Sequence, residues 1–247
     1  MEPGEYRRMF EMEDHYWWFR AKRALIISLL KQYAPFPPTL ALDVGCGTGG
    51  AIQTFSALGG WWVGMDRSDL ALTFCKKRGL PHLLQASAEA LPLRSGSADL
   101  LLCLDVLYHR GVLDDQAVLG ECFRVLKPGG TAIITDSALE WLRGPHDEAV
   151  HARKRYRLGE IAALAEAGRF RVIKRSYTNT FLFLPVAAYR LARRLFPGAT
   201  SHTRSDLLSV PRPLQRVLAA IMALERWILR WVDLPIGSSV VLVARKP

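Results

Sequence analysis

The sequence predicts an α/β fold built on a mostly parallel, doubly wound sheet, and three observations lead there. Across residues 40–136, apolar runs alternate with helix-compatible stretches in the order strand, helix, strand. The first run leads into Leu42-Asp43-Val44-Gly45-Cys46-Gly47-Thr48-Gly49-Gly50, an acid and alternating glycines that open into helix-compatible sequence. A second acid, Asp66, closes the next run 23 residues after Asp43.

Each element follows from these runs. Residues 39–44 are the first strand, residues 49–58 a helix, and residues 61–65 the second strand, ending at Asp66. Glycine is needed where the chain turns sharply from strand to helix and where backbone must approach a ligand closely, so the loop at 45–50 reads as a nucleotide-cofactor loop. Counted as Gly45-x-Gly47-x-x-Gly50, it also fits the dinucleotide fingerprint. A dinucleotide needs an anion site for its pyrophosphate. S-adenosylmethionine has no phosphate and presents an ammonium, a sulfonium and a carboxylate, a ligand that suits an acid at the strand end, and Asp43 favours it. Asp66, at the tip of the second strand, is placed to accept the hydroxyls of a ribose, which either cofactor carries.

Further along stand Ser87-Ala88-Glu89-Ala90-Leu91-Pro92-Leu93, then Ala98-Asp99-Leu100-Leu101-Leu102-Cys103-Leu104-Asp105-Val106-Leu107-Tyr108-His109, then Arg124-Val125-Leu126-Lys127-Pro128-Gly129-Gly130-Thr131. With the first loop and Asp66, these resemble the successive motifs of class I S-adenosylmethionine-dependent methyltransferases over residues 40–178. The resemblance implies a Rossmann-like fold: a mostly parallel seven-stranded sheet with an antiparallel last strand and, here, a helical insertion. It implies S-adenosylmethionine as cofactor. Asp43 and the backbone of Gly45, Cys46, Gly47 and Gly49 would hold the methionine end, Asp66 and Arg67 the ribose side, Ser87, Ala88 and Glu89 the adenine, and Asp105 would line the cofactor at the end of the fourth strand. Relatives commonly carry Asp where Ser87 stands; a hydroxyl still accepts a hydrogen bond there, and weaker adenine recognition is expected. Pro128-Gly129-Gly130 reads as a turn before the fifth strand.

Composition fits one domain with additions. The four cysteines, at 46, 75, 103 and 122, show no metal-ligand or redox spacing and read as reduced core thiols, so the expected location is cytoplasmic. The N-terminus has no basic-then-apolar leader, and no uncharged apolar run approaches the ~20 residues of a membrane span. Charge is divided unequally: residues 1–138 carry 14 Lys and Arg against 15 Asp and Glu, whereas residues 139–247 carry 19 against 8. A basic C-terminal half suits an anionic partner, either nucleic acid, a phosphorylated substrate or an anionic membrane surface to which the protein would be peripheral.

Two regions outside the shared scaffold carry specificity. Residues 1–38 are expected to form an N-terminal lid helix led by Glu13-Asp14-His15-Tyr16-Trp17-Trp18-Phe19-Arg20, an opening similar to that of a bacterial methyltransferase subgroup. Four consecutive aromatics cannot share one helix face, so some must cover the cleft or meet a partner. Tyr16, Trp17, Trp18 and Arg20 are candidate substrate contacts. The core would span residues 39–178 and close with residues 238–247. Between the last two strands, 170–178 and 238–244, lie residues 179–237, too long for a structureless loop. Helices are expected at 186–196, with Arg190, Arg193 and Arg194 apart from Ala188, Leu191, Leu195 and Phe196, and at 214–232. In the second, Val217, Ile221, Leu224, Ile228 and Trp231 form a stripe, with Arg216, Arg226 and Arg230 on the other side. Such a basic amphipathic insertion serves as a lid, as a membrane contact, or as both.

Methyl transfer asks for alignment and, for some acceptors, a base. His109, just past the fourth strand, is the candidate base, and His146, His151 and Tyr156 are candidate substrate contacts. The expected acceptor is a small or lipid-like molecule. RNA or DNA is the alternative, and a third reading is a protein that binds S-adenosylmethionine without chemistry.

Overall fold

The computed structural model describes residues 1–195 and 210–247. In chain order the elements are α1 (Pro3–Met12), α2 (Trp17–Tyr33), β1 (Leu40–Val44), α3 (Gly50–Ser56), β2 (Trp61–Asp66), α4 (Asp69–Lys77), β3 (Leu83–Gln85), β4 (Ala98–Leu104), α5 (Asp115–Val125) and β5 (Leu126–Ser137). After a 3₁₀ turn at Glu140–Leu142 come α6 (Pro145–Ala149), α7 (Leu158–Ala167), β6 (Arg171–Thr178), α8 (Phe183–Leu195), α9 (Arg212–Ile228) and β7 (Ser239–Arg245). One seven-stranded sheet runs in the order β3-β2-β1-β4-β5-β7-β6. β1 to β5 pair in parallel, and β7 pairs antiparallel with both β5 and β6.

The two-residue period of the strands sorts the core into two layers. Leu42, Val44, Leu101, Cys103 and Ile134 point to one face and pack with Leu119 and Cys122 of α5 and Ile161 and Ala165 of α7. Ala41, Leu100, Leu102, Ile133 and Val243 point to the other and pack with Ile26 and Leu30 of α2 and Ile52 and Phe55 of α3. The strands are apolar on both faces because both are covered. Local caps fix the helix starts: Ser68 Oγ accepts from Ala71 N at 3.4 Å before α4, and Asp114 accepts from Gln116 N at 2.8 Å before α5.

Several sequence expectations shift. The N-terminal region holds two helices: Pro3 takes a first-turn position in α1, where its missing N–H costs nothing. Pro128-Gly129-Gly130 lies within β5 as a bulge, where the register with β4 jumps from Ala98–Leu126 to Leu100–Thr131. The helix expected from residue 186 starts at Phe183, and Phe196, together with the side chains of Arg193, Arg194 and Leu195, lies outside the described residues. Arg190 does not stand free: it donates to Leu142 O and pairs with Asp147 at 3.0 Å. α9 packs on α2 through Met222, Glu225 and Leu229, whereas its stripe of Val217, Leu224 and Trp231 points away, 54%, 53% and 79% exposed. Among the described residues no helix is long and apolar enough to cross a membrane.

Candidate active site

The C-terminal ends of β1, β2 and β4 meet at one edge of the sheet, where open α/β sheets bind their ligands. The loop after β1 is fastened there by Gly45 N and Cys46 N, which donate to Met65 O at 2.7 and 2.9 Å. Gly45 sits at φ +72°, and a Cβ on it would lie 2.5 Å from Val106 Cγ2. No other residue type fits both the angle and the space. Gly47, at φ +57°, donates its N–H to Asp66 Oδ2 at 3.0 Å, and Ser68 N donates to Asp66 Oδ1 at 2.8 Å.

A cleft of about 470 Å³ opens over these strand ends. Of the residues picked out in the sequence, Asp43, Gly45, Cys46, Gly47, Asp66, Arg67, Ser87, Ala88, Asp105, His109, Trp18 and His146 line it. Burial raises Asp43 to about 8, with the Asp66 carboxylate adding to the rise and Lys22 opposing it. Asp66 is also raised by burial, against the pull of the Ser68 and Gly47 amides. Two desolvated carboxyl groups at one end of the cleft favour a cationic guest.

Asp105 closes β4 with φ +59°, a conformation that costs a non-glycine residue energy and that recurs at functional positions. Its carboxylate accepts from Thr135 Oγ1 at 3.1 Å and forms an ion pair with Lys22 of α2. Ser87 Oγ accepts from Glu89 N at 3.3 Å. Arg67 donates from Nη1 to Gly111 O at 3.1 Å, tying the end of β2 to the loop after β4.

The remaining sequence candidates stand outside the lining, each for a definable reason. Gly49 turns the chain into α3 at φ +85° and packs toward Cys75 and Leu80. Glu89 faces away and accepts from Leu113 N and Asp114 N at 2.7 and 2.8 Å, so it holds a loop. Of the four aromatics, Trp18 and Phe19 line the cleft. Tyr16 is buried against the rings of Trp17 and Phe19, and Trp17 meets Tyr16 at a tilt and Trp18 edge-on. Arg20 is exposed. Tyr156 is fully buried in the core beside α7. His151 Nδ1 lies 3.2 Å from the Met1 amino group, one residue back from the wall.

His109 faces the cleft with both ring nitrogens engaged. Gly111 N donates to Nδ1 at 2.9 Å, and Nε2 lies 3.0 Å from the Met1 amino group. Burial, with the Met1 amino group and His151 adding to it, lowers His109 to about 4. His146 also lines the cleft, and its Nδ1 is buried with no hydrogen-bond partner among the described residues.

The sequence names residues 1–38 as a lid but not all of the side chains that line the cleft. Met1, Tyr6 and Met9 of the α1 region and Lys22 and Arg23 of α2 all line the cleft. Sequence reasoning also missed Glu13, which is buried between helices, accepts from Thr48 Oγ1 and pairs with Arg78 at 2.7 Å. The signal was the Glu13-Asp14 pair ahead of the aromatics, but its partner is 65 residues away. Cys46 and Cys75, 29 residues apart, come to 3.8 Å as free thiols, a proximity their spacing does not announce.

Comparison with known proteins agrees with this geometry. Residues 42–134 match the family described as a methyltransferase domain. The chain is 34% identical over 103 residues to a tRNA (carboxymethyluridine(34)-5-O)-methyltransferase of Macaca fascicularis, covering 41% of this chain and 15% of that protein. It is 30% identical over 140 residues to a ubiquinone biosynthesis O-methyltransferase of Methylococcus capsulatus, covering 51% of this chain and 58% of that protein. It thus spans from a small part to somewhat over half of these relatives' lengths. The fold is similar to an S-adenosylmethionine-dependent methyltransferase of Thermotoga maritima, with a TM-score of 0.59, 19% identity, and coverage of 99% and 95% of the two chains. It is also similar to phosphoethanolamine N-methyltransferase 2 of Haemonchus contortus in complex with S-adenosylmethionine, with a TM-score of 0.59, 18% identity, and coverage of 90% and 52%. The glycine turns, the buried Asp43 and the partly buried Asp66 all lie inside the matched segment: residues 42–134 match a methyltransferase domain, and S-adenosylmethionine is the cofactor.

Proposed function

We propose that the chain transfers a methyl group from S-adenosylmethionine to a small, lipid-like acceptor held beneath α1 and α2. The observation that carries this reading is the composition of one continuous cleft. It combines the buried Asp43 and the partly buried Asp66 with an apolar wall that includes Met9, Trp18, Phe19, Val106, Tyr108 and Val150. A cationic cofactor and an apolar acceptor are the chemistries such a lining selects.

In this reading Asp43 and the Gly45–Gly47 backbone hold the amino acid end of the cofactor, Asp66 its ribose hydroxyls, and Ser87 and Ala88 its adenine. Glu89 acts from behind by fixing residues 113–114. The bound sulfonium supplies an already activated methyl group. The protein therefore has to align the acceptor, exclude water with the two N-terminal helices and, where the acceptor carries a proton, receive it. His146 offers the unpartnered nitrogen for an acceptor hydroxyl. His109, neutral at physiological pH and held at both nitrogens, shapes the wall. Residues 1–38 act as the lid, with α9 behind them, and the aromatic opening is similar to that of a bacterial methyltransferase subgroup.

The ubiquinone biosynthesis O-methyltransferase relatives support an oxygen acceptor on an apolar molecule. The tRNA methyltransferase relative and the basic residues 139–247 favour a second reading, with RNA as acceptor. Incubating the purified chain with methyl-labelled S-adenosylmethionine and either hydroxylated quinone precursors or bulk tRNA separates them. Label in the organic extract is the expected result, and label in acid-precipitated RNA would install the second reading. Cofactor binding by calorimetry with label in neither fraction would leave a protein that binds S-adenosylmethionine without catalysis.

A further inference from the structure

The outer face of α9 lies apart from the cleft. Leu214, Val217 and Leu224 recur at helical spacing, Trp227 extends the row to the helix end, and Trp231 stands in the turn that follows. All five are exposed, Trp227 at 58% and Trp231 at 79%. Alongside them stand Arg212, Arg216 and Arg230, also exposed. Residues 211–232 contain a single acid, Glu225, and it is buried, accepting from the backbone N–H groups of Asn179 and Phe181 at 2.5 and 3.2 Å. The helix therefore presents an apolar row flanked by positive charge, and the nearest exposed acid beyond it, Asp233, is paired with Lys174 at 2.7 Å.

A helix that only roofs a soluble domain buries its apolar stripe and leaves its polar side in water. α9 does this in part. Met222 and Leu229 face α2 and, with Trp18 and Leu25, line a small cavity beside the main cleft. The larger stripe is turned outward, and a row of this kind on a soluble surface marks an interaction site. The chemistry of its occupant follows from the residues. Arginines flanking an apolar row complement anionic headgroups above acyl chains, and tryptophan prefers the boundary between the two. A second copy of this chain is a poorer match, because its own face would bring the same positive charges against them.

We propose that α9 docks the protein on anionic lipid bilayers, its Leu214–Trp231 face entering the headgroup boundary and Arg212, Arg216 and Arg230 meeting acidic headgroups. The bilayer contact then sits on the reverse of the helix that packs on α2, whose Trp18 and Lys22 line the cleft. This arrangement brings the site close to the phase in which apolar acceptors dissolve.

The test is co-sedimentation of the full chain with phosphatidylcholine vesicles, with and without phosphatidylglycerol, at low and high salt. Binding is expected only with phosphatidylglycerol and should weaken in salt, since headgroup attraction is screened. An Arg212→Gln, Arg216→Gln, Arg230→Gln variant should bind roughly tenfold or more weakly. Trp227→Ser with Trp231→Ser should bind comparably weakly, because charge alone does not insert a helix. S-adenosylmethionine titration of both variants should match the wild type, since none of the five side chains lines the cleft; changed cofactor affinity would show that α9 is structural and overturn the assignment. Equal failure of wild type and variants to sediment would also overturn it. So would concentration-dependent dimerisation, or RNA binding, that the tryptophan variant abolishes while vesicle binding is absent.

Discussion

The Glu13 carboxylate accepts a hydrogen bond from Arg78 Nη2 at 2.7 Å, and both side chains are almost fully buried. This pair joins the segment between α1 and α2 to the end of α4, and Thr48 of the glycine loop after β1 donates to the same carboxylate. Arg78 extends the tie: its Nε donates to Thr48 O at 2.9 Å and its Nη1 to Asp14 Oδ2 at 2.9 Å. The roof of the cleft and the glycine loop after β1 are therefore one unit.

Removing one partner of that pair should weaken both stability and binding. Arg78→Met is expected to cost about 3 kcal/mol of folding stability, because a buried carboxylate loses its counter-charge. Urea denaturation gives the first value and calorimetry with S-adenosylmethionine the second. Unchanged cofactor affinity would mean that roof and loop are uncoupled.

Asp43 predicts a pH dependence of definite sign. Its pKa rises from 3.8 unfolded to about 8 folded through burial, so its contribution to stability is complete below pH 3.8 and is lost as pH rises toward 8. Asp43→Asn keeps the shape and stays neutral. The melting temperature of the cofactor-free variant should therefore gain on the wild type as pH rises from 5 to 8. An ammonium in the cleft favours the ionised acid, so wild-type affinity for S-adenosylmethionine should increase over the same interval with release of a proton, read from binding heats in buffers of different ionisation enthalpy. A flat difference in melting temperature would place Asp43 at an ordinary carboxylate value.

Asp66→Ala should weaken S-adenosylmethionine binding by about 1–3 kcal/mol while leaving the fold intact, because two ribose hydroxyls lose their acceptor. Part of the loss would come through Gly47 N and Ser68 N, which donate to Asp66 in the free protein. NADH should not compete at concentrations that saturate S-adenosylmethionine. Unchanged affinity in the variant removes the ribose assignment, and competition by NADH at similar affinity removes the cofactor preference.

His109→Asn should lower kcat by less than about tenfold, whereas losing a working general base costs about 10²–10⁴-fold. The reasons are the engaged ring nitrogens and the pKa near 4. A larger loss, accompanied by disappearance of a rate limb near pH 4, would restore His109 as the proton acceptor.

Motifs of short range were legible in the sequence because their reasons are local. Gly45 and Gly47 must adopt positive φ, Asp43 and Asp66 end strands, and the apolar runs alternate with helices; none of this requires knowing the neighbours. Glu89 misled for the same reason. Its place in a motif pointed to the cofactor, while its carboxylate is taken by amides 24 and 25 residues further on. Tyr156 reads as a substrate contact from its place after β5, and it lies buried in the core beside α7, a position its local sequence does not announce.

By itself the sequence determined the sheet and its glycine loop, since strand periodicity and glycine sterics are properties of neighbouring residues, while the cofactor is read from Asp43 and from the resemblance of the ordered motifs to a known family. Tertiary structure decided what roofs the cleft and what faces solvent. The Glu13–Arg78 pair, the Lys22–Asp105 contact and the approach of Cys46 to Cys75 are made across 65, 83 and 29 residues. The direction of α9 was settled in the same way. Its amphipathic pattern fits burial on either side, and the side chosen follows from how Met222 and Leu229 fill the space over α2, a packing relation between distant segments that no helical period encodes.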